Sequence, residues 1–271
     1  MSKSISFKIS YHNGEASNGR LNMYDASVSL QGFAKALSIT THALLNNGEV
    51  RRKGHNVQGA EIFINPSRKG SFEELITIVV NNPEVIGVGI ITNAFYDILK
   101  TTWCKTLDLI HDPETATVKR LQNRIEPFIG EMEESLESSL EQAHRPIKSD
   151  EEMVIVIKRH GSREVLRLDS DTLQRVSIKT EADIRSDIIG NATRYNILSG
   201  YGKFYDDQEQ RVIPFKLMDS FPENKKQLIT WSMHHAQNEE GQGKLRLTVQ
   251  RVLSAKGVIK RYLVHDASQS K

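Results

Sequence analysis

From Ser4 to Tyr11 the chain alternates. Ile5, Phe7 and Ile9 take every second place, with Ser4, Ser6 and Lys8 between them. A period of two predicts a strand. The turn-rich run HNGEASNGR follows. From Tyr24 the period changes. Val28, Leu30, Phe33, Leu37, Leu44 and Leu45 recur at three- and four-residue spacings, which predicts a helix of about 20 residues. Asp25 is its expected N-cap and Gly48 its expected C-terminal stop. After the charged loop EVRRKGHNVQG, the runs AEIFINP and SFEELITIVV predict two strands joined by the basic turn PSRKG. An apolar helix is expected over 83–110, with Pro83 in its first turn. Thr115 to His144 is helical again, with Val118, Leu121, Ile125, Phe128, Met132 and Leu136 near heptad spacing. Pro127 must kink or restart that helix. Strand, helix, two strands and further helices define an α+β unit.

The run RPIKSDEE combines proline and charge without periodicity, so the domain boundary is expected there, with units of 1–147 and 150–271. Beyond it, MVIVIKRHGSREVLRL predicts a hairpin turning at His160-Gly161, and DSDTLQRV a short helix capped by Asp169 or Ser170. From 186 onward the elements can be counted. DIIGNATRYN, GYGKFYD and RVIPFKL predict strands, PENKKQLITWSMHHAQ a helix, and KLRLTVQRVLS and GVIKRYLVH two more strands. Three strands, a helix and two strands is the order of an OB-fold, a five-stranded Greek-key barrel that often binds oligonucleotides. The expected fold class is therefore α+β: an N-terminal small β-sheet with long helices and a C-terminal OB-like small β-barrel.

The stretch GNATRYNILSGYGKF, residues 190–204, resembles the opening pattern of the cold-shock domains, G-x-V-K-W-F-N-x-x-x-G-[FY]-G-F-I. Gly190, Tyr195, Asn196, Gly200, Tyr201 and Gly202 fall on matching positions. The resemblance implies a strand-turn-strand corner of an OB-fold barrel whose aromatic face stacks on unpaired bases. Such stacking is worth roughly 1–3 kcal/mol per base. Two positions depart from the family. Arg194 stands at its stacking tryptophan and Lys203 at its next stacking phenylalanine. Arginine can stack and pair with phosphate, whereas lysine is a point charge. A face built this way relies more on charge than on stacking. The helix expected between the third and fourth strands is a further departure, and it favours a generic small barrel.

Charge sharpens this expectation. Net charge is only +2, so no global field points to nucleic acid or membrane. The basic excess lies in the second half. Lys244, Arg246, Arg251, Lys256, Lys260 and Arg261 occur between 244 and 265 without an acid. The alternative is an edge kept soluble by lysine and arginine. The candidate nucleic-acid-binding residues are Arg194, Tyr195, Tyr201, Lys203, Lys244 and Arg246.

Composition bounds the remainder. A hydrophobic fraction of 38% over 271 residues suits a globular protein. The single cysteine, Cys104, excludes an internal disulfide and fits a reducing, cytoplasmic setting. The opening MSKSISFKIS lacks the apolar core of a secretory signal. Asn93, Asp97 and Lys100 interrupt the apolar run from 85 to 103. It falls short of the roughly 20 apolar residues that a span needs, so a buried helix is expected. Neighbours His234 and His235 cannot face one way on a helix, which argues against a zinc pair. GVG at 87–89 lacks the rest of a dinucleotide fingerprint, and no nucleophile elbow or P-loop occurs. Glu73-Glu74 and Glu133-Glu134 are candidates for solvated faces.

No cofactor, metal site or catalytic residue is expected. The first functional expectation is a non-enzymatic protein binding single-stranded nucleic acid. A second is an assembly protein that meets a protein partner, or a copy of itself, through helices 83–110 and 115–144. A membrane-inserting effector ranks third and an enzyme fourth.

Overall fold

The computed structural model describes residues 3–50, 57–65, 72–81, 91–124, 126–159, 163–238, 242–255 and 257–270. The chain divides into two compact units, Met1–Ser177 and Ile178–Lys271.

The first unit is a five-stranded sheet covered by helices. Its elements are β1 (Lys3–His12), α1 (Met23–Leu45), β2 (Ala60–Asn65), β3 (Glu73–Val80), α2 (Ile91–Thr106), α3 (Ala116–Arg124), α4 (Glu126–Ala143), α5 (Arg145–Ser149), β4 (Val154–Arg159), β5 (Glu164–Leu168) and α6 (Ser170–Val176). The strand order is β2-β3-β1-β4-β5, with every neighbouring pair antiparallel. The alternation from Ser4 to Tyr11 explains why β1 is central. Ile5 and Phe7 lie opposite Ile78 and Ile76 of β3, and Ile9 lies opposite Ile157 of β4. All six are buried. Full burial of such a side chain contributes about 1.5–3 kcal/mol. The polar set faces the other way, where Ser10 Oγ and Lys8 Nζ both donate to Glu73 at 3.0 Å.

The helix from the Tyr24 region forms, but its cap differs from expectation. Asn22 Oδ1 accepts the N–H groups of Tyr24 and Asp25 at 3.0 and 3.2 Å. Asp25 is buried instead, and accepts Arg145 Nε at 2.8 Å. Gly48 does serve the C-terminus: its φ is 86° and its N–H reaches the Ala43 carbonyl at 2.8 Å.

Helix α2 is an internal helix. Ile91, Phe95, Leu99 and Trp103 are fully buried, Trp103 stacks on Phe33, and its Nε1 donates to Thr40 Oγ1 at 2.9 Å. Residues 83–90 of the expected apolar helix, Pro83 among them, lie outside the described residues, as does the turn PSRKG. The expected helix over 115–144 is described as α3 up to Arg124 and α4 from Glu126; residue 125 between them lies outside the described residues, and with it the expected kink or restart at Pro127. Met132, Leu136, Leu140 and Ala143 form the buried stripe of α4, which packs on α1 and α2.

The α1–α4 crossing depends on Gly32. A Cβ there would lie 2.4 Å from Ala143 N and 2.5 Å from Ser139 O, both backbone atoms. One turn away, Ser29 Oγ donates to the Ala143 carbonyl at 2.7 Å. That carbonyl is one of the last in α4 and lacks a helical partner.

The boundary expected within RPIKSDEE is displaced. That run is α5, with Pro146 and Ile147 buried and Arg145 tied to Asp25, and β4 directly after it pairs with β1. Proline and charge serve there as a tight corner inside the unit. The division falls between Ser177 and Ile178, after α6, which Asp169 caps with a capping box to Thr172.

The second unit contains β6 (Ile178–Thr180), β7 (Arg185–Tyr195), β8 (Tyr201–Asp206), β9 (Arg211–Leu217), α7 (Lys226–Asn238), β10 (Leu245–Ser254) and β11 (Ile259–Gln269). Strands β7, β8, β9, β11 and β10 close on one another in that order, and β6 adds outside β10. Only β9 and β11 run parallel. This is the five-stranded OB-like barrel expected from the element order. Ile188, Phe204, Ile213, Phe215, Leu245, Leu247 and Val264 fill it. A register shift between Ala192 and Arg194 marks a bulge in β7. The Ala192 N–H donates to Ser232 Oγ of α7 at 3.0 Å, and Ser232 donates on to the Gly243 carbonyl.

Gly32→Ala is expected to lower stability by about 1–3 kcal/mol, because the crossing must open or strain. Urea unfolding of the full chain followed at Trp103 checks this, and an unchanged midpoint contradicts it. His144 supplies a pH-dependent test. Its ring is buried, Nδ1 lies 2.6 Å from the Leu140 carbonyl, and Nε2 lies 2.9 Å from Thr172 Oγ1. Burial pushes its pKa down to about 4. The folded state thus binds this proton less readily than the unfolded chain. The stabilisation is complete above about pH 6.5 and is lost as pH falls towards 4, on the order of 3 kcal/mol in all. Stability measured between pH 7 and 4.5 should fall less steeply in His144→Gln than in the parent.

Candidate nucleic-acid interface

The glycines and polar residues of GNATRYNILSGYGKF build a barrel corner. Asn196 makes the turn: its side-chain oxygen accepts the N–H groups of Leu198 and Ser199 at 2.9 and 3.3 Å, and its own N–H donates to the Tyr201 carbonyl at 2.7 Å. Gly200 sits at φ 73°, where a side chain is strained. At Gly202 a Cβ would lie 2.3 Å from the Phe215 ring and 2.4 Å from the Arg194 carbonyl oxygen. Tyr195 turns inward and stacks on Phe215 with ring centroids 6.2 Å apart. Burial raises its pKa. Tyr201 faces outward yet is only 3% exposed, with Lys216 Nζ 5.4 Å from its ring centroid. The positions shared with the cold-shock pattern thus hold the corner together: Tyr195 is half-buried with its ring against Phe215, and Tyr201 is covered.

The two departing residues lie on the outside. Arg194 and Lys203 are direct partners across β7 and β8. With Phe204 and Phe215 inside, period two places Tyr201, Lys203 and Tyr205 of β8 and Val212, Pro214 and Lys216 of β9 on the outer face. No carboxylate occupies these positions. Tyr205 is the outward aromatic, 38% exposed. At the β7–β8 turn, Ile197 and Leu198 are 70% and 97% exposed.

Lys244 and Arg246 lie elsewhere. Gly190 pairs with both Leu245 and Asp206. The two basic residues are thus near the Asp206 end of β8, while Arg194 and Lys203 lie four residues further along β7, roughly 13 Å at strand rise. Lys244 Nζ binds Asp207 at 2.6 Å, whereas Arg246 is exposed. Two further basic residues of the final hairpin are withdrawn from the surface charge or paired. Arg251 makes a two-pronged bond with Glu181, and Arg261 is buried. Acids distant in sequence therefore meet Lys244 and Arg251. The six candidate residues do not form one surface: Arg194 and Lys203 pair, Tyr201 lies on Lys203's face, Tyr195 is half-buried on the inner side against Phe215, and Lys244 and Arg246 stand apart.

Sequence reasoning missed Lys216, Tyr205 and the Ile197-Leu198 tip. The period-two pattern of RVIPFKL already places Lys216 opposite the apolar side. Its position beside Tyr201 depends on the β8–β9 register, which is set in three dimensions.

The barrel also contains a buried polar pair. Asp206 is fully buried, and its Oδ2 accepts Tyr262 O–H at 2.6 Å. Its Oδ1 accepts the N–H groups of Gln208 and Glu209 at 2.8 and 3.0 Å. Burial, and then this carboxylate, raise the Tyr262 pKa well above its ordinary value. Among the described residues, no group of three or more His, Cys, Asp or Glu could hold a metal ion. Within the same residues, no helix is long and apolar enough to cross a membrane. His235 packs on Trp231, with its Nδ1 2.9 Å from the Trp231 carbonyl.

Fold and face define a two-unit α+β protein with an OB-like barrel. The chain belongs to the family described as "Domain of unknown function (DUF7946)", whose model matches residues 7–177. Residues 186–268 match a second one, "Family of unknown function (DUF7947)". No curated protein and no solved structure matches the chain.

Tyr262→Phe would leave one oxygen of the buried Asp206 without its donor. A stability loss of about 1–3 kcal/mol is expected. Denaturant unfolding of the full chain measures it, and a loss below about 0.5 kcal/mol counts against the pair's role.

Proposed function

We propose that this is a non-enzymatic protein whose OB-like barrel binds single-stranded nucleic acid through the outer face of β8 and β9. The observation that carries this is the acid-free outer face of these two strands, with Lys203 and Lys216 on it and Arg194 beside them. In OB-folds the second and third barrel strands, which β8 and β9 are by position, are where oligonucleotides lie. A phosphate laid over Arg194 and Lys203 would meet a guanidinium and a point charge side by side on neighbouring strands. Tyr205 supplies one exposed ring for a base, and charge supplies the rest. Contacts of this kind follow the backbone and carry little sequence preference.

The assembly alternative has less to draw on. The described apolar face of α2 and the buried stripe of α4 are both covered inside their own unit.

Fluorescence anisotropy of the full chain with a labelled single-stranded oligonucleotide, measured over a salt series, tests the proposal. Binding should weaken as salt rises. Lys203→Gln should lower the log–log salt slope by about 0.7, the value for one lost phosphate contact on a single strand. Arg246→Gln should leave it unchanged. No binding at low salt, or equal effects of the two variants, overturns the proposal.

A further inference from the structure

A second surface, in the first unit and independent of the barrel, gathers basic side chains around a cleft of about 310 Å3. The cleft lies between α2, the segment leading into α3, and the β4–β5 hairpin. Asn93, Tyr96, Asp97 and Lys100 recur on one face of α2 and form one wall. Arg159 and Arg163 form the opposite wall, held together by the Arg159 N–H donating to the Arg163 carbonyl at 2.9 Å.

The charges in this cleft are unevenly committed. Asp97 is buried, and its carboxylate is saturated by its own loop. It accepts Thr115 N–H and Thr115 Oγ1–H at 2.6 Å, Glu114 N–H at 3.0 and 3.1 Å, and Thr101 Oγ1 at 3.4 Å. A carboxylate has about four acceptor directions, so Asp97 offers a ligand none. Glu164 is directed to Arg167 at 3.4 Å, and Glu114 is exposed. On the basic side, Arg159 is fixed without a carboxylate. Its guanidinium lies 4.9 Å from the Tyr96 ring centroid and donates to Asn93 Oδ1 at 3.4 Å. Tyr96 is itself anchored by its hydroxyl, which donates to the Ser6 carbonyl at 2.7 Å. Lys100 and Arg163 form no ion pair among the described residues. The His111 Nε2, also at the cleft, is buried without a hydrogen-bond partner, 3.7 Å from Asp97 Oδ1.

We infer that this cleft is a binding site for the phosphate group of a small phosphorylated molecule, held between Lys100, Arg159 and Arg163. A guanidinium locked on an aromatic ring is pre-organised, so little side-chain entropy is lost when it grips an oxyanion. Arginine matches phosphate with two parallel N–H groups, and lysine adds a point charge from the facing wall. The volume sits at the lower end of the range for small-molecule sites.

The probe is inorganic phosphate, titrated into the full chain at fixed pH and ionic strength and followed by phosphorus NMR. Saturable binding is expected. The double variant Lys100→Gln with Arg163→Gln should weaken the Kd by about tenfold or more, as expected for losing charge-assisted bonds. Arg163→Gln alone, at an exposed position, serves if the double variant does not fold, and the same tenfold threshold applies. Arg246→Gln, exposed on the barrel and apart from both basic surfaces, should leave the Kd unchanged. Absence of saturable binding, a smaller effect of the cleft variants, or an equal effect of Arg246→Gln overturns the inference.

Discussion

The first unit depends on β1 being paired along both edges. One side of this strand meets residues 73–80 and the other meets residues 154–159. A strand from the beginning of the chain is thereby enclosed by segments far along it. The closure entropy of those long loops must be met before the contacts form. What meets it is the apolar row Ile5, Phe7 and Ile9, which lies against Ile78, Ile76 and Ile157 and beneath α2. The helices can sit close over this row because Gly32 lets α1 touch the backbone of α4. The α5 corner follows from the same constraint, since β4 must return to the edge of β1.

The barrel solves a different problem with similar means. Closing five strands leaves no free edge among them, and β6 covers part of β10. Closure demands a sharp corner between β7 and β8, where Gly200, Gly202 and Asn196 do the bending. The buried carboxylate of Asp206 ties the end of β8 to β11 through Tyr262 and shapes the turn after it. Charge on the outside is then sorted by pairing. Glu181 and Asp207 meet Arg251 and Lys244, so the basic hairpin is less exposed as charge than its composition implies. The face that keeps an acid-free row is that of β8 and β9.

Both basic surfaces arise where strands and helices bring together residues that are scattered in the chain. On the barrel, Arg194, Lys203 and Lys216 come from three strands. In the first unit, Lys100, Arg159 and Arg163 come from a helix and a hairpin. None of these sets forms a run or a spaced motif.

By itself the sequence determined the α+β class, the strand–helix order of the barrel, the inward face of β1 and the cap of the short helix at Asp169 or Ser170. Each is a local matter: period two or 3.6, or a capping side chain. The tertiary structure decided the rest. The Asn22 cap displaced Asp25 because Asp25 is needed by Arg145, more than a hundred residues away. The domain boundary moved from 147–150 to 177–178 because β4 pairs with β1. Of the corner tyrosines, Tyr195 turned inward onto Phe215 and Tyr201 was covered on the outer face, and Lys244 and Arg246 were carried away from Arg194 and Lys203. Strand register and long-range ion pairing set these outcomes, and neither is written in the spacing of residues along the chain.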